Sequence, residues 1–490
     1  MATIYRSGVP AGGTGFVASL RAEWTKLRSV RRWVLGMGAA LLLTILISLL
    51  TAAGSGSDLN QHLDELGAVG PDGQQVHDWF HFVHQPLTGD GTMVARVATQ
   101  ENSHEWAKAG VMVKESTDPG SPYAAVMVTP GHGVRLQSNF ATDLAGSSNS
   151  APRWLRLTRE GDKVTGFESA DGTAWTRVGA VDLTSLPSSA EIGFFVTSPD
   201  EVEIEQQFGS ASTGQRPTMG TATFDNVLVE SVEGPQSGPW QDHNSSRGFV
   251  DPGRFTEAGG VFTVTGSGDI AANPPDDDVA QLSLIGVTIG FIAIVAVSVL
   301  FITSEYKRGI IRATFAADPR RGRVLAAKAT VIGVTSLVVG LVAGITAFFV
   351  TQPVLRSNGF EPPGYPIRSL TEWPVFRAVV GAAICWALIA VISLAAGTIM
   401  RRSAGAIAGV IVLVLTPILF STALPLTAAR WLVRVTPVAG FSFTQTIPAD
   451  PNTAVEPWSM TGPWAGLGVL SAYAAIALLA AFWVLRHRDA

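Results

Sequence analysis

Six long apolar runs constrain this chain more than any other feature. They are Trp33–Ala53, Ala280–Ser304, Ala329–Gln352, Arg377–Met400, Ser403–Leu424 and Pro463–Leu485. A helix needs about 20 predominantly apolar residues to cross the hydrocarbon core of a bilayer. One such run alone would also suit the buried core of a soluble protein; six in one chain predict six transmembrane helices. Only Arg401 and Arg402 separate the fourth run from the fifth, which predicts a tight hairpin of two spans. Between the first and second runs, residues 54–279 read like a soluble domain. The charged fraction of 15%, against about 25% in typical soluble proteins, is therefore an average over two unlike halves.

Basic residues orient such a chain, because positively charged loops stay on the cytoplasmic side. Arg21, Lys26, Arg28, Arg31 and Arg32 precede the first run, and Lys307, Arg308, Arg312, Arg320, Arg321 and Arg323 follow the second. Arg401 and Arg402 mark a third cluster, Arg486 and Arg488 a fourth. With six spans all four fall on one side. Both termini are then expected in the cytoplasm and residues 54–279 outside it, with Arg430 and Arg434 as exceptions. A cleaved secretory signal over Arg31–Ala53 is the rival reading. Its n-region of about 32 residues would be long, and its apolar run exceeds the 7–15 residues of an h-region. The single cysteine, Cys385, excludes an intramolecular disulfide, so an exported domain must rest on its core. A net charge of −5 leaves no footprint for nucleic acid.

From Val76 to Ser231 the periodicity changes to two. His77–Val83, Thr92–Thr99, Gly110–Lys114, Tyr123–Val128, Trp154–Thr158, Val164–Glu168, Ile192–Thr197 and Thr223–Val229 predict strands. Turn residues such as Gly89-Asp90-Gly91, Gly161-Asp162 and Asp171-Gly172 separate several of them. Short strands at this spacing imply an antiparallel sandwich. The stretches Phe80–Gly91, Trp106–Met112, Trp154–Leu157 through Ser169–Trp175, and Thr223–Val227 resemble concanavalin A-like lectin/glucanase domains, over about 150 residues. That resemblance implies an all-β jelly-roll sandwich. Gly260–Gly268 resembles the opening strand of such domains but comes last, so it is expected to pair back as a permuted edge.

The same resemblance raises carbohydrate binding. Trp79, Trp106, Tyr123, Trp154 and Trp175 are the candidate stacking residues, and filling the core or bracing turns is their alternative use. Asp90, Asp171 and Asp225 occupy turn or strand-end contexts where aspartate serves the backbone. No acidic loop has calcium-ligand spacing, so no metal is expected. A hydrolase would need two facing carboxylates. Glu115, Glu168 and Glu191 are available, but nothing in the sequence brings them together, and no enzyme activity or cofactor is expected.

Almost no ionisable residue falls inside the six runs. That argues against an ion-coupled carrier, which places Asp, Glu or His there as relays. The chain also has no G-x-x-x-x-G-K-[ST] phosphate loop. If it transports, the energy comes from a separate protein. Two basic flanks offer docking elements. Phe16, Val17, Leu20, Trp24, Leu27 and Val30 recur at helical spacing, with Arg21, Glu23, Lys26, Arg28 and Arg31 between them, predicting an interfacial amphipathic helix. Glu305–Arg321 predicts a short helix, then a corner where Asp318 caps the next helix and Pro319 occupies its first turn.

Glu23-Trp24-Thr25-Lys26-Leu27, together with Glu305, Gly309, Pro319-Arg320-Arg321 and Lys328, resembles the permease subunits of type-2 ABC exporters, over residues 16–53 and 280–490. The resemblance implies a coupling helix at Gly309–Ala317 docked on a separate ATP-binding subunit, and a second permease copy, identical or related. It implies an ATPase-coupling set of Glu23, Trp24, Lys26, Glu305, Arg308, Gly309, Phe315, Pro319, Arg320 and Arg321. It also implies an outer re-entrant segment at Pro425–Thr446. The inserted sandwich departs from that family's compact pattern, in which the first two spans are joined by a short loop. The sequence thus points to a six-helix all-α transmembrane domain with an extracytoplasmic β-sandwich, acting as an export permease. A membrane-anchored carbohydrate receptor or adhesin is the alternative, and a membrane-tethered glycosidase is third.

Overall fold

A computed structural model describes residues 15–55, 68–101, 104–184, 186–207, 210–232, 234–235, 238–245, 253–273, 278–362, 365–421, 423–447 and 461–487. Arg488 of the fourth basic cluster lies outside them. The chain combines six helices long and apolar enough to cross a membrane with a large antiparallel β region inserted after the first.

The helical half begins with α1 (Phe16–Ser29) and α2 (Arg31–Gly54), separated only by Val30 in an extended conformation. After the β region come α3 (Val279–Lys307), the short α4 (Ile310–Ala317), α5 (Arg321–Ser357), α6 (Trp373–Met400), α7 (Ser403–Ser421), α8 (Leu426–Val435), a 3₁₀ segment Pro437–Thr444, and α9 (Pro463–His487). Helix α3 packs into the middle of this group. Trp386 of α6 is fully buried and donates its indole N–H to Val287 O of α3 at 2.8 Å. Next to this contact α2 and α3 approach through small residues, as helices do when no side chain can intervene. A methyl group on Gly286 would lie 2.0 Å from Thr44 O, while Ser48 Oγ accepts the Gly286 N–H at 3.1 Å.

The sequence expected a re-entrant segment at Pro425–Thr446. The structure has two non-spanning helices there. The second is buried against α6 and α9, with the Phe443 ring filling the space over Gly381. Asp278 ties this segment to the start of α3. Its carboxylate caps Gln281 N at 3.0 Å and also accepts the N–H groups of Thr446 and Ile447. The seventh helix stops at Ser421, short of the Leu424 expected from hydropathy alone.

Two sheets enclose one apolar core. The first runs β17 (Gln241–Ser245), β3 (Phe80–Thr88), β12 (Ser189–Thr197), β5 (Lys108–Lys114), β6 (Tyr123–Thr129), β7 (Gly133–Ser138) and β8 (Thr142–Ala145). The second runs β11 (Thr176–Asp182), β10 (Lys163–Ser169), β9 (Arg153–Glu160), β4 (Gly91–Glu101), β15 (Gly220–Ser231), β19 (Val261–Gly266) and β18 (Arg254–Ala258), with β16 (Gly234–Pro235) on β15. Alternate residues of both sheets meet between them, among them Val83, Val111, Val126 and Phe194 from one and Val97, Leu155, Leu157 and Phe224 from the other. A separate ribbon joins β13 (Glu201–Gln207) to β14 (Ser210–Arg216). The late strand β19 does pair back, Phe262 opposite Phe224, but β18 lies outside it, so it is not the edge.

The expected strand His77–Val83 is two strands in two sheets. The chain breaks at Trp79, whose N–H is taken by Asp269 O at 3.0 Å. The residues before it form β2 (Gln75–Asp78), which lies between β1 (Ala68–Val69) and β20 (Ile270–Ala272). This small sheet covers the outer face of the first large one. Val76 and Ile270 pack on Phe80, Phe82, Met112, Tyr123, Met127 and Phe195. Two lysines of β5 fasten it. Lys114 Nζ is 2.9 Å from Asp78 Oδ2, with both side chains buried, and Lys108 Nζ is 2.6 Å from Asp269 Oδ1. Burial outweighs the carboxylate at Lys114 and holds its ammonium below the usual lysine range. The strands joined here lie on the segments leading from α2 and towards α3.

A buried charge cluster behind the short loop helix

Three of the candidate coupling residues, Glu23, Lys26 and Glu305, converge with Lys328 where α1, the end of α3 and the start of α5 meet. Lys328 Nζ lies 2.6 Å from Glu23 Oε2 and 2.7 Å from Glu305 Oε1. Lys26 Nζ lies 2.8 Å from Glu23 Oε1 and 3.2 Å from the same Glu305 oxygen. Two ammonium groups and two carboxylates thus alternate, with no net charge. Glu23 is 2% exposed, Glu305 7% and Lys328 1%. Unpaired, each would cost several kcal/mol to hold out of water, so geometry and mutual neutralisation decide whether the site exists at all. The Phe301 ring adds a face 5.0 Å from Lys328 Nζ. Burial alone would depress Lys26, but the hydrogen bond and charge of Glu23 and the charge of Glu305 outweigh it, leaving its pKa above the ordinary lysine value.

Local sequence explains how each group arrives. Glu23 and Leu27 are one helical turn apart and form the buried stripe of α1. The apolar positions of α1 divide in the structure: Leu20, Leu27 and Val30 pack inward beside Glu23, which Lys328 draws inside, whereas Phe16, Val17 and Trp24 are exposed. Glu305 closes the last turn of α3. Lys328 stands two turns into α5, at the depth where its long stem reaches both acids. Lys328 belongs to the motif that carries the family resemblance but lies outside the coupling set that the resemblance implies. Its signal in the sequence is a lysine at the very edge of the apolar run that starts at Ala329.

Helix α4 sits against this cluster. Arg308 ends α3, and Gly309 (φ +69°) turns the chain in the left-handed region that glycine adopts freely. Ile311 is buried and Phe315 half-buried, in a small hollow lined also by Ile302, Tyr306, Val324, Leu325 and Lys328. Arg321 lies over the Phe315 ring at 5.5 Å and donates to Leu485 O at 2.7 Å, joining α4 and α5 to the end of α9. The outer surface carries Lys307, Arg308, Ile310, Arg312, Pro319 and Arg320. Asp318 does not cap α5 as expected; Arg320 holds the cap position, and the Asp318 carboxylate instead receives Ser19 Oγ at 2.7 Å and Arg320 N at 3.2 Å. The Ser19 hydrogen bond, then the backbone N–H of Arg320 and the charge of Arg323, hold that carboxyl below its usual range. Glu23, Lys26, Glu305, Phe315 and Arg321 are thus brought together, while Trp24 and Arg308 face outward.

The stacking aromatics of the β region are not brought together. Tyr123 is 1% exposed beneath the small sheet, against Phe140. Trp79 lies tilted against His77, and Trp106 stacks on His132. Trp154 lies in β9 of the other sheet, under Gly172, and Trp175, just before β11, lies against Arg156. The carboxylates are likewise dispersed. Glu168 of β10 is occupied by Ser147 and Arg153, and Glu191 of β12, in the other large sheet, by His84 on the neighbouring strand β3. Asp90 accepts Gly161 N and Asp171 accepts Thr173 N and Ala174 N. Among the described residues no three His, Cys, Asp or Glu side chains gather as a metal site.

No family model matches the chain, and no curated protein does. Among solved structures, a functionally unknown protein from Saccharomyces cerevisiae aligns at 19% identity and TM-score 0.21, over 31% of this chain and 76% of its own. SCP-B, a member of the eqolisin family of peptidases, aligns at 12% identity and TM-score 0.25, over 38% and 98%. Scytalido-glutamic peptidase aligns at 12% and 0.26, over 39% and 98%. Likenesses this distant assign no activity to the chain.

Proposed function

We propose that this chain is the membrane-spanning subunit of an ATP-driven exporter of the type-2 ABC class, working with a separate ATP-binding subunit. The observation that carries the reading is the buried charge cluster directly behind the exposed helix α4. A docking helix transmits force only if it cannot swing independently of the spans. Here Glu305 and Lys328 join α3 to α5, Glu23 and Lys26 join both to α1, and Ser19 holds the corner at Asp318. Closure of two ATP-binding subunits would push on α4, and the cluster would turn that push into movement of α3 and α5 together. Both termini and α4 are assigned to the cytoplasm, and the β region to the outside, on the distribution of basic residues. The pathway would form between two such subunits.

The test is co-purification with the ATP-binding subunit from the native host. Arg308→Glu reverses an exposed charge without touching the core. Its expected effect is loss of the complex with thermal stability unchanged. An intact complex and unchanged ATP turnover in this variant would sink the docking role of α4.

A further inference from the structure

The N-terminal segment has a lopsided charge balance. From Met1 to Ala53 its one acidic residue is Glu23, against Arg6, Arg21, Lys26, Arg28, Arg31 and Arg32. Lys328 and Lys26 consume Glu23 inside the bundle. Arg21, Arg28, Arg31 and Arg32 all remain exposed. With about 100° per residue, Trp24, Val17, Arg28 and Arg21 follow one another within about 60° of the α1 circumference, beside the buried stripe. Trp24 is 45% exposed and Val17 59%. An exposed apolar line bordered by arginines matches the boundary between headgroups and acyl chains, where indole and guanidinium each satisfy an apolar body and a polar tip. The one-residue break at Val30 places this flank where α2 leaves its apolar stretch.

We infer that this flank of α1 is a binding surface for anionic phospholipids, with Arg21, Arg28, Arg31 and Arg32 on the headgroup phosphates and Trp24 and Val17 among the upper acyl chains. The sign of the charge selects the lipid, since basic clusters beside a span concentrate acidic headgroups. Lipid and charge cluster then hold different faces of one helix. The inference rests on the six helices crossing a bilayer and is independent of the ATP-binding subunit.

The experiment uses the full chain in nanodiscs of mixed phosphatidylcholine and phosphatidylglycerol, followed by native mass spectrometry of the lipids retained in mild detergent. The wild type is expected to retain phosphatidylglycerol preferentially, and the fourfold variant Arg21→Gln, Arg28→Gln, Arg31→Gln, Arg32→Gln to lose that preference. The corresponding fourfold Lys variant should keep it, which separates charge from folding. Brominated phosphatidylglycerol should quench emission that Trp24→Phe removes. Equal retention of both lipids by the wild type, or unchanged preference in the Gln variant, overturns the inference. A chain that does not enter nanodiscs overturns the spanning reading as well. Trp24 protected by an added ATP-binding subunit, with no lipid preference in its absence, assigns the flank to that protein instead.

Discussion

Lys328 Nζ and Glu23 Oε2 lie 2.6 Å apart across 305 residues of sequence, and neither side chain reaches solvent. Neither charge is tolerable without the other. Replacing Lys328 by Met leaves Glu23 and Glu305 facing each other without their shared cation, with only Lys26 remaining. Removal of one partner from a buried pair costs about 3–5 kcal/mol. Lys328→Met is therefore expected to lower the thermal midpoint strongly in detergent. Adding Glu305→Gln to it should recover part of the loss, as a thermal-unfolding cycle would record. Equal midpoints for wild type and Lys328→Met would remove the cluster from the account of stability.

Lys26 gives the cluster a pH dependence of known sign. Its folded pKa is raised above the ordinary 10.5. Its contribution is thus complete below 10.5, where the unfolded side chain is also protonated, and disappears as pH rises through the higher folded value. The thermal midpoint of the wild type should fall over that alkaline window more steeply than that of Lys26→Met. Parallel curves for the two proteins would contradict the assignment.

The pair Lys114–Asp78 tests the fastening of the small sheet. Both groups are buried, and Asp78 also accepts the N–H of Gly120 at 2.7 Å. Lys114→Met leaves a buried carboxylate with its cation gone, a change of about 3–5 kcal/mol. Limited proteolysis of the full chain should then cut within residues 68–78 and 269–272, which the wild type protects. Persistence of protection would show that the apolar contacts of Val76 and Ile270 suffice.

Glycine substitutions test the packing of α2 on α3. A methyl group at Gly286 meets Thr44 O at 2.0 Å, whereas one at Gly38 meets nothing within 4 Å. Overpacking typically costs about 1–3 kcal/mol. Gly286→Ala should lower the thermal midpoint, and Gly38→Ala should leave it unchanged or raise it slightly. Equal effects would mean that the two helices are free to separate.

The local pattern of the chain decides its element types. Hydropathy alone locates six long helices, because apolar runs of that length have few other uses, and each lies within two to eight residues of its observed ends. Period-two alternation locates the strands with one buried face. It does not reveal Thr142–Ala145, which is exposed along its whole length, nor the break at Trp79, which depends on a partner strand almost two hundred residues away.

Glu23, Glu305 and Lys328 enter the sequence reading together through one family resemblance, as charged residues flanking apolar runs. What the sequence by itself determines is that these charges sit beside apolar helices and need partners. Only the tertiary structure decides which partners they have, because the packing of α1 against α3 and α5 brings them within hydrogen-bond reach. The same holds for the β region. Its aromatics and acids are plain in the sequence, but the fold spreads them over two sheets and buries Tyr123 beneath strands from the segments that lead from α2 and towards α3. Composition and periodicity act over a few residues, whereas a buried ion pair or a covered sheet face depends on long-range contacts that no local pattern encodes.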